Sequence, residues 1–525
     1  MIVAACRKIG ERHHLGALAL AAALVCAAYL WEGTLNFNPA DEGILWYASQ
    51  RVALGELPIR DFQSYLPGRY FWAAAMMALR GDTGLVSLWM SASVCLAAGL
   101  YVALRIVDGE SRKAGFLWLG TAALVLLVWA IPRHKLFDVT LSILITASLA
   151  SALREPGARR FLIAGATVGL AGAFNMNHAA YGVVAHVGAL CLMATRCRGG
   201  FLRASVWPWL AGFVLGASPA WVAAVVSPGF RQVLAEMIGG LIQRTAATSQ
   251  TNLALPVPWP WTVPLGGGDP WSVAGRLLLG TFFVAIIVYG AGVSAASIRR
   301  RFTGRPVSPV IVASAFVTLP YIHHALSRAE ILHLAQSVAP MLIGVLAWLG
   351  GRPPVLRWAA TAGLLAASVL VALPAHLGWQ RHVAGNWTPV RLGTDTVVVN
   401  PGIADTLRGI QSLVAEHCAE EDTFLAVPYL PGAYALTGRR APQWEVYALF
   451  PKPEAFERRE IDRIRAASPR FAIVQDIPLD GRPELMFSRT HPLQMRYLRE
   501  NFREVPGPFA DPSLQVLLPI GPPQR

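Results

Sequence analysis

Four groups of polar and ionisable residues interrupt a chain that is otherwise strongly apolar. The first is the acidic pair Asp41-Glu42, and the second is Arg133-His134-Lys135. The third holds Asn175, Asn177 and His178, and the fourth His323, His324, Arg328, Glu330 and His333. A carboxylate such as Asp41 can take the proton of an acceptor hydroxyl or orient it. Arg grips phosphate oxygens with a planar fork and Lys meets them as a point charge. Cations of this kind suit a phosphate-bearing ligand and stabilise a phosphate that departs with negative charge. Two adjacent carboxylates beside a phosphate are also a candidate site for Mg²⁺ or another divalent cation. The plainer reading makes Asp41 the N-cap of a helix starting near Gly43 and the other groups solvated loop charges. The cap and the base are compatible, because a helix N-terminus favours the charged form of a carboxylate.

The elements that must position these groups are membrane helices. Of 525 residues, 54% are hydrophobic and only 14% charged, against about 25% charged in ordinary soluble domains; the mean hydropathy is +0.45. Apolar stretches occupy 15–31, 84–105, 115–131, 136–153, 161–174, 179–195, 205–226, 273–297, 308–323, 334–349 and 358–373. The expectation is a polytopic α-helical membrane protein with about eleven transmembrane helices, several of them short of the ~20 residues a span needs.

The net charge of +14 is not a nucleic-acid footprint. If the N-terminus lies inside, alternate short segments carry Arg7, Lys8, Arg12; Arg105, Arg112, Lys113; Arg154, Arg159, Arg160; Arg196, Arg198, Arg203; Arg299, Arg300, Arg301, Arg305; and Arg352, Arg357. The intervening short loops hold only Arg133, Lys135 and Arg328. That asymmetry predicts a cytoplasmic N-terminus and a C-terminal tail outside the membrane. It also places all four polar groups on the outer side. The first apolar stretch, with Arg7, Lys8 and Arg12 ahead of it, has the outline of a signal peptide, but ten further stretches make it an uncleaved anchor. Six scattered cysteines offer no disulfide framework, and there is no zinc-ligand spacing.

Two long outer segments, 32–82 and 228–271, interrupt a bundle expected to run over 1–384. In the first, Ile44, Leu45, Ala48 and Val52 fall at helical spacing, and 70–79 is a short apolar stretch; both read as helices lying at the membrane surface. In the second, Leu234, Met237, Ile238 and Leu241 form one stripe, followed by a Pro- and Gly-rich loop whose Trp259, Trp261 and Trp271 suit a headgroup-level belt. Residues 385–525 have the composition of a small extracytoplasmic α/β domain, with helices expected over 403–416, 429–436 and 453–467 and strands over 423–427, 471–475 and 514–518.

The run Asp41-Glu42-Gly43, Gly55-Glu56-Leu57-Pro58, Asp61-Phe62 and Tyr65-Leu66-Pro67-Gly68, following an N-terminal anchor, resembles the GT-C superfamily. These membrane glycosyltransferases take sugar from polyprenyl-phosphate donors and include protein mannosyltransferases and lipid A aminoarabinose transferases. The resemblance implies an inverting transferase of a bacterial inner membrane that moves a sugar to a glycan, lipid or protein acceptor on the outer face. It makes Asp41 the catalytic acid motif's first member and Glu42 its neighbour. Arg133, His134, Lys135, Asn177, His178, Arg328, Glu330 and His333 become donor-phosphate or substrate contacts. Asn175 stands where many members carry Lys, so Arg133, Lys135 or Arg328 would take over its phosphate role. Ser327-Arg328-Ala329-Glu330 with His333 is similar to a late outer-loop motif of related bacterial transferases. The alternative is a transporter or flippase of a lipid-linked or anionic substrate. Such proteins place ionisable residues near the midplane, often in repeated halves, whereas these stretches read as nearly free of charge and show no repeat.

Overall fold

A computed structural model describes residues 2–111, 114–195, 200–232, 234–235, 255–266 and 269–521. The basic residues Arg112, Lys113, Arg196 and Arg198 lie outside the described residues, as do Met237, Ile238 and Leu241 of the second outer stripe. The chain is a multi-pass membrane protein by its helices, and it divides into two compact units.

The first unit comprises Met1–Glu32, Ala92–Val222 and Ala254–Gln380. Among the described residues of the chain, eight helices are long and apolar enough to cross a membrane. A ninth span forms if Leu202–Gly216 and Ser218–Val226, bent by 55°, are counted as one. Two further apolar stretches became the shorter helices Phe116–Leu127 and Ala158–Phe174. Helices are the expected outcome because every backbone group in lipid needs a partner within its own segment. Burial sorts them. Arg133–Arg154 and Ile331–Gly350 are each 72% buried over their best window, whereas His14–Glu32 is 17% and Pro354–Ala375 22%. The former make the centre and the latter keep apolar surface for lipid. Small residues let neighbours approach: a Cβ on Gly165 or Gly212 would sit 1.9 Å from a carbonyl oxygen of the facing helix, the close packing that membrane helices use in place of a hydrophobic drive.

The second unit comprises Gly33–Ser91, Ala223–Leu253 and Arg381–Arg525. Helices form where two were expected, at Asp41–Ala53 and Gly68–Arg80, but the first is not a surface helix: every residue from Glu42 to Gln50 is buried within this unit. A four-stranded sheet has the order β3-β4-β6-β5, with β3 Leu425–Val427, β4 Ala472–Gln475, β5 Phe502–Val505 and β6 Leu514–Pro519. The β3–β4 pair is parallel and the other two pairs antiparallel. The crossover between β3 and β4 contains the helix Glu454–Ala467, and Leu425, Val427, Ile464, Val474, Phe487 and Leu498 form the core. The expected helices over 403–416 and 429–436 are Pro401–His417 and Pro431–Thr437.

Among the elements that escaped the sequence reading are the hairpin of β1 (Thr388–Leu392) and β2 (Asp395–Val399), the helices Phe487–Thr490 and Pro492–Asn501, and β5. The hairpin had a legible signal. Val390, Leu392, Val397 and Val399 alternate inward across a two-residue turn that begins at Gly393, with φ +61°, the left-handed backbone that such turns need. Residues 34–36 of the first outer segment then pair with β2: Asn36 N–H donates to Val398 O at 2.8 Å and Val398 N–H to Thr34 O at 3.1 Å. The first outer segment is thus bound into the same compact unit as the C-terminal residues, and the acidic pair with it.

Candidate active site

Asp41 is not the cap. The helix begins at Asp41 itself, and Asn38 does the capping: its Oδ1 accepts from Ala40 N–H at 2.9 Å and Asp41 N–H at 3.1 Å. Glu42, 5% exposed, reaches back so that its Oε2 accepts from Asn38 N–H at 3.0 Å. This is a reciprocal capping arrangement, with the two acids divided in task. Glu42 serves the backbone, which leaves the half-buried Asp41 carboxylate in the helix's first turn available to other groups. Gly43 lets this turn pack closely, since a Cβ there would meet Gly432 N at 2.5 Å.

The partner of Asp41 is a residue the sequence reading missed. Tyr447 Oη donates to Asp41 Oδ1 at 3.1 Å. Burial first, and then the Asp41 charge, push the Tyr447 phenol well above its ordinary pKa, so it remains a donor. Its position is fixed through the backbone. Tyr447 N–H donates to Gln63 Oε1 at 2.7 Å, and Gln63 Nε2 donates to Tyr447 O at 3.1 Å. Gln63 N–H donates to Trp444 O at 2.8 Å, and Trp444 Nε1 to Ile59 O at 2.9 Å. Ala441 N–H donates to Tyr47 Oη at 3.0 Å. The loop 441–447 is therefore laced to the first outer segment on both sides of Trp444. Nothing in the sequence pairs positions 41 and 447.

Two of the other polar groups, 175–178 and 323–333, meet within the first unit around an acid that had been read as part of an apolar span. Asp138, wholly buried in the helix Leu136–Arg154, lies 3.0 Å through Oδ1 from His178 Nε2 and accepts from Asn175 Nδ2 at 3.0 Å. His178 Nδ1 hydrogen-bonds Tyr321 Oη. Tyr181 Oη pairs with His323 Nδ1 at 3.0 Å, and His324 Nε2 with Gln336 Oε1 at 3.3 Å. Toward the loop, Glu330 Oε1 takes Arg328 Nε at 2.7 Å and His333 Nδ1 at 3.1 Å. Burial pushes the Glu330 carboxyl up, but the bonds from His333 and Arg328 outweigh it and hold the group below its usual range.

Arg133-His134-Lys135 forms a half-buried 3₁₀ turn entering the same central helix, and Arg133 Nη1 donates to Glu32 O at 3.3 Å. Asn177 is exposed, with its N–H on Asn175 Oδ1. His178 is enclosed on all sides at 0% exposure, so it supports the site from behind. The stretches are also less charge-free than they read. A lone acid inside a span is a functional-site signal by default, and Asp138 carried it.

Among the described residues no group of three or more His, Cys, Asp or Glu side chains is placed to hold a metal ion. Asp41 and Glu42 are engaged with different partners, so this geometry does not support the divalent-cation reading.

No protein-family model and no curated protein matches the sequence. Solved structures match in fold. ArnT from Cupriavidus metallidurans, an aminoarabinose transferase, bound to undecaprenyl phosphate, has 10% identity and a TM-score of 0.58 over 95% of this chain and 97% of that chain. Its apo state has 11% identity and a TM-score of 0.57 over 94% and 97%. The archaeal oligosaccharyltransferase AglB from Archaeoglobus fulgidus, in complex with an inhibitory peptide and a dolichol-phosphate, has 12% identity and a TM-score of 0.43 over 88% and 69%. At such identities a likeness speaks for architecture. The fold of this chain is that of the ArnT structures, over nearly the whole length of both chains.

Proposed function

We propose that this chain is an inverting glycosyltransferase that moves a sugar from a polyprenyl-phosphate donor to a glycan, lipid or protein acceptor at the outer face of a bacterial inner membrane. The observation that carries the reading is the Asp41 carboxylate, excused from capping by Asn38 and oriented by the Tyr447 hydroxyl at 3.1 Å. In the reaction, the acceptor oxygen attacks the anomeric carbon and the bond from that carbon to the phosphate oxygen breaks. The acceptor proton passes to Asp41, and the polyprenyl phosphate leaves with the electron pair. A single displacement inverts the anomeric centre. Tyr447 is a positioning residue that holds one carboxylate oxygen and leaves the other for the proton. We assign the donor phosphate to Arg133, His134 and Lys135, with Arg328, Glu330, His333 and Asn177 as further substrate contacts. Asp138, His178 and Tyr321, bonded to one another within the first unit, are given no part in the transfer step. No step runs through a metal ion.

The test is sugar transfer in membranes from radiolabelled polyprenyl-phosphate sugars, comparing the native chain with Asp41→Asn. Loss of an acid–base group costs about 10²–10⁴-fold in rate; equal rates with both proteins remove Asp41 from the chemistry. A second reading, a transporter of an anionic or lipid-linked substrate, is favoured by one observation, the buried Asp138–His178–Tyr321 chain within the spans. It predicts substrate movement across proteoliposomes that Asp138→Asn abolishes and Asp41→Asn spares.

A further inference from the structure

A cleft of 770 Å³ opens within the second unit beside the loop that delivers Tyr447. Its size is in the range of about 300–1,000 Å³ that holds small ligands, and the mechanism above does not use it. Trp444 and Gln443 form one wall, and Ala466 and Ala467 at the end of the helix Glu454–Ala467 form another. The half-buried Trp444 ring is pinned by its N–H on Ile59 O, which gives the cleft a fixed aromatic surface. Gln443 is 4% exposed; its Nε2 donates to Glu445 O at 2.7 Å, and its Oε1 has no hydrogen-bond partner. That acceptor lies buried in the wall of the cleft.

The charges around the cleft decide what it takes. Arg60 is bound by Nε and Nη2 to Asp61 at 2.8 and 2.7 Å. Arg439 Nη1 donates to Glu420 O at 2.9 Å and to Asp422 O. Arg440 Nε lies 3.4 Å from Glu56 Oε1, and Arg463 is bonded to Glu460. With the acids at 420, 421 and 422 on the rim, the lining cations and anions balance. At Arg60, Arg440 and Arg463 an anionic ligand would have to displace a carboxylate already in place, while Arg439, held by backbone carbonyls, keeps a buried Nε–H without a partner. A neutral polyol instead meets alternating fork-shaped donors and acceptors, and the C–H face of a sugar ring suits an aromatic wall.

We infer that this cleft binds neutral sugar residues of the acceptor. The assignment of that ligand as acceptor rests on the transferase reading; the binding itself does not. Trp444 and Gln443 precede Tyr447 by three and four residues in the laced loop, so a filled cleft stiffens the segment that orients Asp41. The experiment measures binding of neutral tetrasaccharides of glucose, mannose and galactose, and of their uronic-acid counterparts, to the full-length protein in nanodiscs by saturation-transfer NMR and calorimetry. At least one neutral series binds. Ala467→Trp, on an exposed position where bulk fills the cleft without touching the core, weakens that binding about tenfold or more. Trp444→Ala does likewise and Trp444→Phe recovers part of the loss. Asp41→Asn binds as the native chain does, which separates this inference from the catalytic one. Absence of binding by every neutral series, preference for the uronic acids, or unchanged binding in Ala467→Trp overturns it.

Discussion

Two carboxylates adjacent in sequence have separate fates, and the difference is one hydrogen bond each. Glu42 closes the capping arrangement on Asn38, while Asp41 faces Tyr447. Tyr447→Phe deletes only the hydroxyl, so the protein keeps its fold while transfer falls about tenfold, the worth of one hydrogen bond to a charged group; initial rates at saturating donor check this. Because the phenol is held well above its ordinary pKa, the loss is the same across neutral pH. Glu330 offers a pH test of opposite character. Its folded-state pKa is depressed by His333 and Arg328, so the stability it adds is fully present above its unfolded value of about 4.3 and disappears as pH falls through the lower folded value. Thermal melts should show a drop below about pH 4 that is smaller in Glu330→Gln.

At the scale of elements, the acidic helix Asp41–Ala53 is positioned by the helix Pro431–Thr437 more than by its own loop. Gly43 lies against Gly432, whose N–H donates to Pro39 O at 2.9 Å, and Gln50 Nε2 donates to Ala435 O at 3.3 Å. Gly43→Ala places a methyl 2.5 Å from Gly432 N. Overpacking of this kind costs about 1–3 kcal/mol, and the shift it forces moves Asp41 away from Tyr447. The expected result is a lower melting temperature together with reduced transfer, where Gly55→Ala, at a position with open space around it, would cost stability through its positive φ and leave the Asp41–Tyr447 bond in place. The helix over 44–52 was readable from its apolar spacing, but its burial from Glu42 to Gln50 was not, because the helix packing against it lies almost 400 residues away. The β1–β2 hairpin and β5 were harder, since five- and four-residue strands carry few alternations.

On the whole-molecule scale, the chain pairs a lipid-facing bundle with a unit drawn from both ends of the sequence: Gly33–Ser91 joins Arg381–Arg525. The Lys and Arg distribution predicts the outer side for the latter. An impermeant thiol reagent applied to intact cells should label Glu454→Cys, an exposed position at a helix start, at a rate unchanged by permeabilisation. Labelling only after permeabilisation would reverse the topology and the proposed site of transfer with it.

The membrane class and the apolar helices were legible in the sequence, because hydropathy and helical spacing are local properties written within about twenty residues. The sequence left Asp138 hidden, since one acid barely alters the hydropathy of a stretch such as 136–153, and it offered no route to Tyr447. Residues 41 and 447 are brought together by strand pairing at 34–36 with β2 and by a close helix contact at Gly43 and Gly432. Only the tertiary structure decided that juxtaposition, because contacts across some 400 residues depend on the folded chain's packing and leave no periodicity in the sequence.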